Sequence, residues 1–193
     1  MGEFNLTEAS KNFIPYTGVE TLTFLDNNGI EHTLTSQAGR KLEPTRMIVR
    51  TICEEGFLDR TEMFFNIERE QTAYFDSTGQ QVFYTDLLTT FEDNSNVDSI
   101  AIYDYLYVSG VLAGNSLGEI RIITDQRQNQ VSETHRIDFF DHSRLIGDTT
   151  LYEQAFSEVF VDITGNGKGI YYNKEKGVVA FKLSEDEFWV LKE

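Results

Sequence analysis

The sequence predicts an all-β protein: an antiparallel meander that forms a lipocalin-like barrel, open or closed, or else a sandwich. Three observations favour this class. The 193 residues include fifteen Phe and nine Tyr but only two Pro, and aromatic side chains suit pleated, half-buried surfaces. Most segments alternate apolar and polar residues, which is the period of a strand with one buried face. Glycine-containing turns separate these segments at short intervals, as is typical of antiparallel hairpins.

The N-terminal segment, residues 1–16, is predicted to contain a short helix. Asn5 can cap this helix, and Glu8 follows three residues later, as in a capping box. Pro15 is expected to end the helix, because proline cannot continue the helical hydrogen-bond pattern.

The first hairpin is predicted at Asn27-Asn28-Gly29, between the alternating runs TLTFLD and IEHTLT. An Asn-Gly pair between two such runs is a strong hairpin signal, because both residues tolerate a positive φ. We therefore expect a type I′ turn at this position.

Further strands extend the meander along the rest of the chain. One segment, DTTLYEQAFSEVFVDIT, is ambiguous, because Leu151, Ala155 and Val159 recur with helical spacing. Its aromatic and β-branched residues favour a strand from about Tyr152. No linker or repeat interrupts the pattern, so residues 1–193 are expected to form one domain. The other predicted strands are RMIVRTIC (46–53), TEMFFNIEREQTAYF (61–75), QQVFYTDLLTTF (80–91), SIAIYDYLYVSGVLAG (99–114), LGEIRIITDQ (117–126), THRIDFF (134–140), the pair within IYYNKEKGVVAFKL (170–183) and EFWVLK (187–192).

Composition limits the possible partners. The net charge of −16, from 32 acidic and 16 basic residues, disfavours nucleic-acid binding, because phosphates repel an acidic protein. No stretch approaches the roughly 18 apolar residues of a transmembrane helix, and the first residues lack the basic and apolar regions of a signal peptide. The single cysteine, Cys53, cannot form a disulfide framework or a cysteine zinc site and is expected to be buried.

Residues 162–169, DITGNGKG, combine features of a calcium loop and of a phosphate loop. Asp162 suits the first position of a calcium loop, but Asn173 stands where a bidentate Glu is needed. In a phosphate loop, the place of the first glycine would be taken by Asp162 and the place of Ser or Thr by Gly169. We therefore predict a hairpin turn between two strands.

No catalytic constellation is apparent, so no catalytic residue, metal or cofactor is expected. The three histidines lack the paired spacing of a zinc site, and no nucleophile elbow occurs. Two acid pairs, Glu54-Glu55 and Asp93 with Asp98, could act as general acid and base in a hydrolase. Sequence spacing alone does not establish the separation across a cleft that such chemistry needs.

The most distinctive candidate ligand site is a stripe of three tyrosines, Tyr103, Tyr105 and Tyr107, on one face of a predicted strand. The stripe is typical of the packed face of a central strand. Alternatively, it lines a groove that stacks on sugars or apolar ligands, because Tyr combines a flat apolar ring with a polar tip.

The two ends of the chain resemble small lipoproteins of the Bacteroidota cell envelope. The C-terminal part, YEQAFSEVFVDI, IYYNKEKGVVAFKL and EFWVLKE, resembles their ending, and FIPYTGVETLTFLDNNGIEHTL is similar to their opening. The resemblance covers residues 12–36 and 150–193 and depends on hairpin glycines and core aromatics. It implies an all-β ectodomain in the cell envelope or outside the cell, held at the outer membrane by a lipidated cysteine upstream of residue 1.

Three function hypotheses follow. The favoured one is a non-enzymatic cell-envelope domain with a binding or structural role, whose ligand is a small molecule, a glycan or a protein. The alternative is a carrier of an apolar small molecule, which requires a cavity of several hundred Å³ inside the barrel. A hydrolase with dispersed carboxylates is less favoured.

Overall fold

The computed structural model describes residues 2–37, 39–52, 60–92, 101–112, 114–126, 143–151 and 153–192. These residues form thirteen strands and one helix, and the sheet curls into a half-barrel, which confirms the predicted all-β, barrel-like class. The helix is α1 (Glu8–Lys11). The strands are β1 (Gly2–Phe4), β2 (Thr21–Asp26), β3 (Glu31–Ser36), β4 (Lys41–Ile52), β5 (Arg60–Phe75), β6 (Gln81–Glu92), β7 (Ala101–Leu112), β8 (Asn115–Gln126), β9 (Arg144–Leu151), β10 (Gln154–Ile163), β11 (Gly169–Asn173), β12 (Gly177–Lys182) and β13 (Phe188–Leu191).

A single sheet contains all of these strands, in the order β8-β7-β6-β5-β3-β2-β13-β12-β11-β10-β9. Strand β4 is antiparallel to β5, and the short strand β1 pairs with β5 in parallel. Two meanders, one from each half of the chain, are therefore joined where β2 pairs with β13. This pairing places the ends of the sequence at the middle of the sheet.

The sheet curls until β8 lies against β10 and β11. The backbone N–H of Glu119 on β8 donates to Asp162 Oδ2 on β10 at 2.8 Å, and the Ser143 hydroxyl donates to the Arg121 carbonyl. Aromatic and aliphatic side chains fill the inside of the curl, where burial of apolar surface stabilises the fold. The largest of these buried side chains include Phe24, Leu34, Tyr74, Phe83, Leu87, Leu106, Ile120, Ile170, Tyr172 and Phe181.

The predicted hairpin at residues 26–30 is confirmed, but the predicted type I′ turn is wrong. Gly29 has a positive φ of 77°, whereas Asn28 does not. The turn is wider than a type I′ turn, because the backbone N–H of Asp26 donates to the carbonyl of Ile30. The carboxylate of Asp26 stabilises the turn by accepting the N–H groups of Asn28 and Ile30. The turns at residues 76–80 and 164–168 have the same pair of backbone hydrogen bonds and again a glycine with positive φ at the fourth position.

Helix α1 begins two residues later than predicted. Its N-cap is Thr7, whose hydroxyl accepts the Ser10 N–H, and not Asn5. The reason is tertiary: the Thr7 N–H itself donates to the carboxylate of Asp104 on β7, at 2.9 Å. This contact fixes Thr7 in the extended conformation that an N-cap requires.

The ambiguous segment contains two strands rather than one. Strand β9 ends at Leu151 and β10 starts at Gln154, so the tight turn falls where the single strand was expected to begin. Glu153 occupies this turn with a φ of 66°, so no glycine marks the turn in the sequence. The predicted strand THRIDFF and Cys53 lie outside the described residues.

The N-terminal segment enters the half-barrel and fills part of its inside. Tyr16 is fully buried, and its ring packs 5.1 Å from Tyr74 and 5.7 Å from Phe83, measured between centroids. Its hydroxyl accepts the N–H of Val178 on β12, and the Tyr172 hydroxyl donates to the Phe13 carbonyl. The segment is therefore part of the core.

Glu20 gives this segment an acid-sensitive contact. Its carboxylate accepts the Tyr74 hydroxyl at 2.5 Å and the Thr17 N–H at 3.0 Å. Burial raises the pKa of Glu20, but hydrogen bonds from Thr17, Tyr74 and the backbone outweigh burial and lower the pKa to about 2. Because this lies below the usual value of 4.5, the contact contributes its full stability above pH 4.5 and loses it as pH falls through 2.

We expect Glu20→Gln to lower the free energy of unfolding at pH 6 and to flatten its decline between pH 4.5 and pH 2. Urea unfolding of the native chain and the variant across this range is the measurement. The matched control is Glu185→Gln, in the exposed turn before β13, which should leave the decline unchanged. If the free energy of unfolding of Glu20→Gln fell with pH in parallel with that of the native chain, Glu20 would not be the source of the acid sensitivity.

Candidate ligand-binding face on strands β4 to β8

A row of polar and aromatic side chains crosses five strands on the side of the sheet opposite the core. Each member lies directly opposite the next in the strand register, and directly paired residues share a face. Since neighbouring strands lie about 4.8 Å apart, the row spans about 19 Å. Its members are Lys41 (β4), Gln71 (β5), Asp86 (β6), Tyr107 (β7) and Arg121 (β8). We call this row, together with Arg69, Tyr84, Tyr105 and Glu119, the tyrosine face.

Two ion pairs hold the charged groups of the tyrosine face in place. Arg69 Nε lies 2.8 Å from Asp86 Oδ1 and Arg69 Nη2 lies 2.5 Å from Asp86 Oδ2, a two-point contact with parallel donors. Arg121 Nη2 lies 2.8 Å from Glu119 Oε2. The hydrogen bond to Asp86 raises the pKa of Arg69. Asp86 is buried beneath its contact with Arg69, whereas Arg69, Arg121 and Glu119 stay partly exposed beside the tyrosine rings.

Two tyrosine rings lie at the middle of the face. The rings of Tyr84 and Tyr107 are 5.5 Å apart and inclined at 48°, and the guanidinium of Arg121 lies 5.7 Å from the Tyr107 ring centroid. Burial raises the pKa of Tyr107, and the hydrogen bond between its hydroxyl and Glu119 raises it further. The Tyr107 hydroxyl therefore stays protonated throughout the physiological pH range.

A groove of about 480 Å³ continues the face towards β4. The connection from β3 to β4 forms one wall, with Gln37 and Lys41, and the outer face of β5 and β6 forms the other. Phe75 and Tyr84 supply aromatic surface, while Gln71 supplies a carboxamide. The groove is of the size that binds a small molecule or part of a longer polar ligand.

The structure separates the three tyrosines predicted as a ligand stripe. All three lie on the outer face of β7, but Tyr103 is only 4% exposed, whereas Tyr105 and Tyr107 are partly exposed. Tyr105 and Tyr107 can therefore contact a ligand on this surface, while Tyr103 packs within the fold.

Sequence reasoning missed the partners of these tyrosines. Lys41, Arg69, Gln71 and Tyr84 lie on three other strands and reach the face only through the sheet pairing. The alternation of QVFYTD could have placed Tyr84 and Asp86 on one face. The link to Tyr107 could not be found, because the sequence between Glu92 and Ala101 contains no glycine or proline that would predict a hairpin turn.

The glycine-rich loop at 162–169 is a hairpin turn between β10 and β11, as predicted. Asp162 does not point into the loop but accepts the Glu119 N–H across the half-barrel. Gly167, at the fourth turn position, has a φ of 78°, where a side chain would be strained. The loop therefore has a structural role: it connects β10 to β11, and Asp162 links β10 to β8.

The described residues contain no cluster of three or more His, Cys, Asp or Glu side chains that could hold a metal ion. The acid pairs Glu54-Glu55 and Asp93 with Asp98 lie outside the part of the chain that the structure describes. In that part, no helix is long and apolar enough to cross a membrane. Buried carboxylates have clear structural partners: Glu70 pairs with Arg40, Asp86 with Arg69, and Asp104 with the Thr7 N–H and the Thr89 hydroxyl.

Comparison with known proteins found no match, whether to a protein-family model, a curated protein or a solved structure. Function is therefore inferred from the chemistry of the tyrosine face.

Proposed function

We propose that this chain is a non-enzymatic binding domain of a cell-envelope lipoprotein and that its tyrosine face binds a carbohydrate. The observation that carries the proposal is the pair of partly exposed rings, Tyr84 and Tyr107, flanked by the paired groups Arg69–Asp86 and Arg121–Glu119. The resemblance of the chain's two ends to Bacteroidota lipoproteins supports the location, and acylation of a cysteine upstream of Met1 in the source cells would test it.

The chemistry of the face suits a sugar. A pyranose ring has apolar C–H surfaces and a rim of hydroxyl groups, so it binds best where flat aromatic rings lie beside fixed polar groups. Tyr84 and Tyr107 supply such rings, each with a polar tip. Carboxylate, guanidinium and carboxamide groups can each donate or accept two hydrogen bonds in a plane, which matches neighbouring hydroxyls.

The row geometry favours a chain of sugars over a single one. The five row positions extend across β4 to β8 over about 19 Å, which exceeds the width of one sugar ring. The groove between Lys41 and Tyr84 lies at one end of the row. An oligosaccharide lying across the strands would contact the groove and both central rings at once.

The carrier hypothesis has less support from the packing. The rings of Tyr16, Tyr74 and Phe83 occupy the inside of the half-barrel, with Tyr74 stacked on Phe83 at 4.8 Å. An apolar ligand at this place would have to displace the N-terminal segment.

We expect Tyr84→Ala and Tyr107→Ala each to weaken oligosaccharide binding at least tenfold, because each removes a stacking surface. An oligosaccharide array identifies the bound sugars, and isothermal titration calorimetry then gives the affinities. The matched control is Phe188→Ala, which removes a partly buried ring of β13 away from the face and should bind normally. A native chain that binds no oligosaccharide, or Tyr variants that bind as well as the native chain, would overturn the proposal.

A further inference from the structure

We infer that the carbohydrate bound here is acidic and that Lys41 receives a carboxylate of one sugar unit in the groove. This inference rests on the proposed carbohydrate binding and adds the ligand's charge and its orientation along the tyrosine face.

The groove differs in charge from the rest of the protein. Acidic residues number 32 of 193, twice the basic ones, yet the described residues that line the groove include Lys41, Arg69 and three glutamines and no carboxylate. A surface this acidic repels anions at long range. An anionic group in this groove therefore contacts cationic and carboxamide side chains directly, while the carboxylates of Asp86 and Glu43 lie beside Arg69 at its edge.

The two cations of the groove differ in availability. The guanidinium of Arg69 already donates two hydrogen bonds to the carboxylate of Asp86, from Nε and from Nη2. Lys41 is exposed and takes part in none of the ion pairs found among the described residues. Lys41 is thus the cation of the groove whose charge is available to a ligand.

The register sets where the carboxylate would lie. Lys41 is opposite Gln71, and the next residues along the same row are Asp86 and Tyr107. A sugar whose carboxylate contacts Lys41 can rest its ring against Phe75 or Tyr84 in the groove. The following units then pass over Asp86, whose charge is paired with Arg69, and reach Tyr107 beside Glu119, whose charge is paired with Arg121. The acidic unit therefore occupies the β4 end of the row.

The test compares matched ligands that differ only in charge. Oligosaccharides of galacturonate, glucuronate and mannuronate are each paired with their carboxyl-reduced forms, and calorimetry measures binding at low and at physiological salt. We expect an acidic form to bind at least fivefold more tightly than its reduced form, with the difference shrinking as salt screens the contact.

Lys41→Gln should remove about this fivefold preference and leave the affinity for the reduced form unchanged, while Lys41→Arg should retain it. Lys192→Gln, at the exposed lysine that follows β13 and pairs with Glu31, is the control and should change neither affinity. Equal affinity for the two forms, or an equal loss for both in Lys41→Gln, would overturn the inference while carbohydrate binding stands. Failure to bind either form would overturn both. Thermal melting of each variant establishes that it is folded.

Discussion

Replacing Gly177 by alanine is expected to lower the free energy of unfolding by about 3 kcal/mol or more, combining a strained backbone with an overpacked core. Gly177 has a φ of 81°, a conformation that costs an L-residue free energy. A methyl group there would also overlap the hydroxyl oxygen and Cζ of Tyr16. Non-bonded atoms cannot overlap in this way, so one of the two residues would have to move.

Tyr16 has little freedom to move. Its ring packs between Tyr74 and Phe83, and its hydroxyl accepts the N–H of Val178, the residue next to Gly177. Any shift that relieves the clash would leave this buried N–H without an acceptor, which itself costs about 1–3 kcal/mol. The expected loss therefore includes packing, backbone and hydrogen-bond contributions.

Gly29→Ala is the matched control for the backbone contribution. Gly29 has nearly the same φ, 77°, but no atom lies within 4 Å of the added methyl group. We expect this variant to lose about 1 kcal/mol, measured by urea unfolding alongside Gly177→Ala. Equal losses would contradict the expected overlap, because they would mean that Tyr16 moves aside at no cost in free energy.

The contact between Gly177 and Tyr16 illustrates what the sequence could and could not predict. Local signals found most of the strands and hairpins, because alternation and turn glycines act over a few residues. The pairing of β2 with β13 and the entry of Tyr16 into the core join residues about 160 positions apart. Single-sequence patterns carry no information about such contacts.

The candidate site likewise combines a feature that local sequence patterns predict with others that depend on distant contacts. Alternation placed Tyr105 and Tyr107 on one face of one strand, which was sufficient to propose stacking. The rest of the face comes from β4, β5, β6 and β8, and it depends on the register of four strand pairs. The burial of Tyr103 likewise depends on tertiary packing, so an equal spacing in sequence does not give an equal exposure.

Arg40→Ala is expected to destabilise the protein by about 3 kcal/mol, the lower end of the cost of leaving a buried charge without its partner. Arg40 Nε donates to Glu70 Oε2 at 2.7 Å, and Nη2 contacts the same oxygen. Glu70 is only 6% exposed, so water cannot replace the lost guanidinium fully. Arg40 itself retains some exposure, which is why we expect the lower end of the range.

Two further variants test whether the loss comes from the unpaired buried charge of Glu70. The double variant Arg40→Met with Glu70→Leu removes both charges and keeps apolar volume, so it should recover most of the loss. Lys192→Ala removes one partner of the exposed Lys192–Glu31 pair, at 2.5 Å, and should cost less than 1 kcal/mol because water screens that pair. Urea unfolding of all three variants gives the comparison.

The effect of Arg40→Ala should also extend to the N-terminal segment. Arg40 Nη2 donates to the Lys11 carbonyl at 3.3 Å, at the end of α1. Losing this donor loosens the segment that carries Tyr16 into the core, so amide hydrogen exchange should accelerate in residues 8–16 more than in β6 and β7. A loss confined to global stability, with unchanged relative exchange in residues 8–16, would mean that Arg40 stabilises the sheet alone. In that case Glu70 would be its sole important partner, and the Leu6 and Thr7 amides, which donate to Glu68 and Asp104, would hold the segment instead.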